Sequence, residues 1–280
     1  MVNPLQLFRP LILISILVSL PLSASSQGLT RTPDNSTTGA RPTWKVPSLI
    51  SNKGILVRPI RSMSILNSSP GAHPANRRSP KLELVSGRGN KWTVVNGSFS
   101  YWPTFKNRRT SFPMGMIIRN DIVEANEICG LNAGAIVIRS GQITVARSGA
   151  RNLNQVHTRF GSGIDGFMSC GVLLIEEGRK LTSRDLMGRQ GFSFGLDDGA
   201  CRGSRHTLIG IRKGEAYVIF NPEIDRRKWL SCRQYLDLFH ANGFGALVKF
   251  DGSSGFFYKD SAASEGYGTA NPTGFLIQEW

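Results

Sequence analysis

From Lys81 onward the chain is a series of short apolar runs cut by glycine turns, a pattern that leaves no room for long helices. Trp92-Thr93-Val94-Val95 runs into Asn96-Gly97. Ala135-Ile136-Val137-Ile138 and Gln142-Ile143-Thr144-Val145 flank Ser140-Gly141, while Leu208-Ile209-Gly210-Ile211 and Glu215-Ala216-Tyr217-Val218-Ile219-Phe220 flank Lys213-Gly214. Strand-forming runs on either side of a two-residue turn with glycine second specify antiparallel hairpins, because such turns need positive φ. Gly171-Val172-Leu173-Leu174-Ile175, Ala246-Leu247-Val248-Lys249-Phe250 and Phe275-Leu276-Ile277 read as further strands. One helix stands out: Ser231 and Gln234 form a capping box, Tyr235, Leu236 and Phe239 supply the apolar stripe, and Asn242-Gly243 stops it. These signals predict an α+β fold, a mostly antiparallel or mixed twisted sheet with few helices, in a single domain over residues 81–280.

The N-terminus predicts the compartment. Arg9 precedes the apolar stretch Leu11-Ile12-Leu13-Ile14-Ser15-Ile16-Leu17-Val18-Ser19-Leu20, and Ser23-Ala24-Ser25 follow. A basic start, a short apolar core and small residues at the exit describe a secretory signal peptide over 1–25. The apolar core is shorter than the ~20 residues a membrane span needs, so no transmembrane segment is expected after cleavage. The expected location is secreted or periplasmic.

Residues 26–80 are rich in Ser, Thr, Pro, Asn and Gly and hold eight Lys/Arg against the single acid Asp34, about half of the chain's net charge of +15. That composition reads as a basic flexible leader. Two roles fit it: a tether to an anionic polymer, or a solvated arm. Aromatic and basic residues are not interleaved on any one strand, so no specific nucleic-acid partner is expected. Cys129, Cys170, Cys201 and Cys232 are even in number and follow the signal, which suits one or two disulfides in an oxidising compartment. Three pairings are possible and the spacing does not choose among them. There is no C-x-x-C, and His73, His157, His206 and His240 are scattered, so no metal site and no cofactor are expected.

Two short motifs fail their context. Gly161-Ser162-Gly163-Ile164-Asp165-Gly166 matches a dinucleotide fingerprint, but a β-like run follows where the fingerprint needs a helix N-terminus. Gly191-Phe192-Ser193-Phe194-Gly195 matches a nucleophile elbow, but neither a strand before it nor a helix after it is indicated.

Three segments place polar groups where strands end: Val95-Asn96-Gly97-Ser98-Phe99, Ser204-Arg205-His206-Thr207-Leu208-Ile209-Gly210, and Phe250-Asp251-Gly252-Ser253-Ser254-Gly255. In this order and spacing, over roughly residues 92–260, they resemble the phosphodiester glycosidase domain family. That family shows an Asn-Gly-Gly-(Phe/Tyr) turn, a glycine-ended strand, Arg-Thr-Ala-Ile-Gly, a helix and Leu-Asp-Gly-Gly-Gly-Ser-Ser. This chain departs from it at three points: Ser98 stands at the second glycine, His206 at the arginine with Arg205 one residue earlier, and Gly252 alone precedes Ser253.

The resemblance implies an exported hydrolase that cleaves a glycosyl-1-phosphodiester linkage in an envelope or extracellular glycan. Asp251 would be the carboxylate at the anomeric carbon, and Arg205, with His206, would hold the phosphate by charge-assisted bonds. Asn96, Gly97, Thr207, Gly252, Ser253 and Ser254 would line the substrate site. Asp197 and Asp198 are spare carboxylates for a second acid role, or simply a solvated turn. The partner would be a phosphoglycan or another anionic polysaccharide. The alternative is a non-catalytic module on the same scaffold that binds an anionic glycan.

Overall fold

A computed structural model describes residues 44–67, 92–101, 112–126, 129–252, 257–260, 264–266 and 273–280. The signal peptide expected over 1–25 lies outside these residues, as do Ser253 and Ser254.

The expected α+β architecture is present. One large sheet carries β1 (Leu56–Asn67), β2 (Trp92–Asn96), β5 (Met116–Arg119), β6 (Ile122–Asn126), β7 (Gly134–Arg139), β8 (Gln142–Arg147) and β9 (Gly166–Glu176). It continues with β10 (Arg179–Lys180), β11 (His206–Arg212), β12 (Glu215–Phe220), β13 (Ala246–Gly252), β14 (Phe257–Asp260), β15 (Ser264–Gly266) and β16 (Thr273–Glu279). Two short strands, β3 (Ser100–Tyr101) and β4 (Phe112–Pro113), pair separately. The main path runs β15-β14-β2-β16-β1-β12-β11-β13-β9-β5-β6; β7 and β10 also pair with β9, and β8 pairs with β7. The β11–β12 hairpin turns at Lys213-Gly214 and the β7–β8 hairpin at Ser140-Gly141, with φ of 49° and 80° at the first pair and 49° and 74° at the second. Those are the double positive-φ turns the sequence calls for.

Three helices attend the sheet: α1 (Ser48–Ser51), α2 (Leu153–Phe160) and α3 (Cys232–Ala241). The capping box of α3 is formed, with the Gln234 amide N–H donating to Ser231 Oγ and the Ser231 N–H donating to the Gln234 side chain. Its Tyr235, Leu236 and Phe239 are buried with Val172, Leu174, Leu208 and Leu247 in the main core. Cys201 bonds to Cys232 and Cys129 to Cys170, which settles the pairing.

The expected leader over 26–80 requires a correction. Of the described residues within it, 56–67 form β1 in the interior of the sheet, between β12 and β16. Ile60, Met63 and Ile65 are buried. Arg58, counted as leader charge, donates to Glu279 Oε1 at 2.7 Å and to Thr93 Oγ1 at 2.9 Å. Trp44 packs edge-on against Tyr217 and Phe244, with the Arg212 guanidinium 4.9 Å from its ring centre. A polar, basic composition hid a strand whose apolar alternation is broken by a bulge between Ile60 and Ser62.

Both short motifs resolve as local structure. Gly161, at φ 86°, ends α2, and the residues after it lead into β9. Residues 191–195 follow a π-type turn over Asp185–Arg189, with Phe192 stacked on Phe194.

Candidate active site

The site is built where β2, β11, β13 and β16 end together. Asn96, the last residue of β2, donates from Nδ2 to the Asp251 backbone carbonyl at 2.5 Å, and its Oδ1 accepts from Thr207 Oγ1 at 2.7 Å. The Asp251 amide donates to the Gly97 carbonyl, and the Gly97 amide to the Thr273 carbonyl, both at 3.0 Å. Ser98 Oγ and Thr273 Oγ1 share a bond of 3.1 Å. The three segments singled out in the sequence are therefore tied at one point through the side chain of Asn96. A side chain at position 97 would put its Cβ 2.9 Å from Met168 Cε and from Thr273 Oγ1, so only glycine fits beneath this junction.

Asn96 and Thr207 are fully buried, and Asn96 spends both ends of its amide on the protein. Its place is that of a joint between strands. Asp251 is half-buried at the end of β13. Gly252 pairs with His206 across a bulge in the β11–β13 ladder.

Strand alternation separates the residues expected to work with Thr207. His206 is buried against Tyr235 of α3, ring centres 5.6 Å apart, and its Nε2 lies 3.1 Å from the Arg202 carbonyl. Burial first, and the Lys249 charge second, hold its pKa well below the ordinary histidine value, so the ring is neutral and Nε2–H donates to that carbonyl. It serves as a clamp on the 202–205 loop. Arg205 is buried with its guanidinium carbon 5.7 Å from the centre of the Trp229 ring. Asp197 accepts from Ser231 Oγ at 2.8 Å and from Arg233 Nε at 2.5 Å. Desolvation opposes ionisation there, but those two bonds hold its carboxyl below the usual range. It is a carboxylate braced on the start of α3, which suits the structural reading of the 197–198 turn.

Sequence reading missed Lys249. It lies on β13 two residues before Asp251, is only 2% exposed, and holds Nζ 4.2 Å from the centre of the Phe99 ring. Burial pushes its pKa down to about 7, against the pull of the Asp251 charge. The one available signal was a lysine inside the otherwise apolar run Ala246-Leu247-Val248-Lys249-Phe250, which a strand with polar and apolar faces accommodates without comment.

Among the described residues, no group of three or more His, Cys, Asp or Glu is arranged to hold a metal ion. A separate open cleft of about 360 Å³ runs beside the Cys129–Cys170 disulfide, lined by Met116, Asn126, Ser148, Arg151 and Ser169 among others, and includes none of the residues above.

No protein-family model matches the chain, and no curated protein sequence matches it. Solved structures do. The zebrafish N-acetylglucosamine-1-phosphodiester alpha-N-acetylglucosaminidase catalytic domain, auto-inhibited by its pro-peptide, superposes with a TM-score of 0.56 at 14% identity, over 79% of this chain and 73% of that one. A hypothetical protein from Synechocystis superposes with a TM-score of 0.52 at 13% identity, over 80% of this chain and 57% of that one. At these identities the likeness is one of fold.

Proposed function

We propose that this protein is an exported hydrolase that cleaves glycosyl-1-phosphodiester linkages in an envelope or extracellular glycan. The observation that carries the reading is the Asn96 junction, which gathers three sequence segments, spaced as in the phosphodiester glycosidase family, around Asp251. The fold shared with the zebrafish enzyme supports it. The two disulfides suit an oxidising compartment. No helix among the described residues is long and apolar enough to cross a membrane.

The chemistry needs little acid catalysis. Breaking the bond between the anomeric carbon and the phosphate oxygen leaves an electron pair on a phosphate monoester, a good leaving group without a strong proton donor. Ordinary glycosidases need two carboxylates for this step. Here Asp251 takes the proton of the attacking water, whose oxygen joins the anomeric carbon. Arg205, at the entry to β11, is the cation assigned to the phosphate, and Gly252, Ser253 and Ser254 are the residues assigned to the sugar.

Incubation with a panel of sugar-1-phosphodiesters is expected to release reducing sugar. Asp251→Asn should abolish that release while the melting temperature stays within a degree or two. Undiminished turnover in the variant would remove Asp251 from the mechanism. The second reading, a non-catalytic module that binds an anionic glycan, is favoured by one observation: Asn96 and His206 are both committed to bonds within the protein. Retention of an acidic polysaccharide with no sugar released from any diester would establish it instead.

A further inference from the structure

We propose that Lys249 is an anion-binding residue of the candidate site, placed to receive the phosphate of the diester; the phosphate assignment rests on the hydrolase reading. An ammonium on an interior strand is a costly choice, because desolvating it takes several kcal/mol unless a partner compensates. Its strand neighbours Leu247, Val248 and Phe250 are fully buried, so an apolar side chain at 249 would serve the core better. What the protein supplies at Nζ is the face of Phe99, a partial compensation for a cation. Among the described residues, none accepts a hydrogen bond from Nζ, and the charge that acts on it is that of Asp251.

The local geometry ties this cation to the site. Phe99 lies two residues after Gly97, whose carbonyl accepts the Asp251 amide. Lys249 and Asp251 are two residues apart on the strand that this bond anchors. Ring, cation and carboxylate thus share one junction, with three ammonium protons available to oxygen acceptors. An arriving phosphate oxygen would supply an acceptor that none of the described residues gives Nζ, in surroundings where a charge interaction is stronger than in water. During cleavage the phosphate goes from one negative charge toward two, so a fixed cation favours the transition state over the bound diester. Lys249 keeps its proton throughout; the proton of the attacking water goes to Asp251.

The test uses the whole protein and two variants, Lys249→Met and Lys249→Arg. Sulfate serves as the probe for binding, measured calorimetrically at pH 6. Turnover is measured on a sugar-1-phosphodiester and on an aryl glycoside of the same sugar. The methionine variant should melt at or above the parent, lose sulfate binding and lose roughly 100-fold in kcat on the diester, with a smaller loss on the aryl glycoside. The arginine variant should recover part of both. Unchanged sulfate binding in Lys249→Met overturns the proposal, and so does a lower melting temperature with equal losses on both substrates. Binding of sulfate through Lys249 by a protein that cleaves no diester keeps the anion site and discards the hydrolase. Diester turnover that is equal in parent and Lys249→Met, with sulfate binding intact, keeps the hydrolase and discards Lys249.

Discussion

Asn96 joins β2 to β11 and β13 with one amide, reaching partners 111 and 155 residues away. An Asn-Gly at a strand end is ordinarily a turn, and the sequence offers no sign that its side chain bridges two other strands. Lys249 belongs to the same class of residue, one whose role is set by burial. In the unfolded chain a lysine titrates near 10.4. In the folded protein Lys249, facing Asp251 on its own strand and neutral His206 on β11, releases its proton near 7. Between those values the unfolded chain holds a proton that the native chain lacks, so stability rises with pH across that window, by at most about 1.4 kcal/mol per pH unit, and falls away again as pH drops toward 7. Lys249→Met should remove that rise. Urea midpoints of parent and variant at pH 7 and pH 9.5 check it, since other titrating groups cancel in the difference; parallel shifts would show that Lys249 is charged throughout.

β1 and the Cys201–Cys232 link show how elements were hidden or visible. The α3 cap and the two glycine hairpins are local devices, spelled by residues within a few positions of each other, and all three form as read. β1 depends on partners that are not local: Met63 and Ile65 are buried by β16 and the core beyond it, and Arg58 finds its carboxylate 221 residues away. The disulfide closes a segment of 31 residues and fixes the loop that delivers Arg205 to the start of β11 against α3. Removing it by Cys201→Ala with Cys232→Ala should cost about 3 kcal/mol in chemical unfolding. Turnover, measured where the variant is still fully folded, should fall more than tenfold, because the loop that holds Arg205 is freed. Full activity in the folded double variant would show that the disulfide does not position Arg205.

For the whole molecule, the governing quantity is its charge of +15, of which removal of the expected signal with Arg9 would leave +14. If an anionic glycan is the partner, attraction is long-ranged and screened. Affinity for an acidic polysaccharide should drop steeply as the Debye length falls below about 10 Å, whereas kcat on a small diester should change little. Salt-independent retention of the polysaccharide would argue that uncharged sugar contacts dominate. The residues along the chain determined by themselves that the strongly apolar runs become strands, where the two glycine hairpins turn and how α3 begins, since those choices depend on φ preference and on hydrogen bonds between near neighbours. Only the tertiary structure decided that residues 56–67 enter the sheet, which cysteines pair, that His206 turns to α3 while Thr207 turns to Asn96, and that Lys249 is stripped of water. Each of those outcomes depends on which segment lies alongside which, and that is settled by contacts between residues well beyond the reach of local hydrogen bonds, from 31 residues apart at one disulfide to 221 at the Arg58–Glu279 pair.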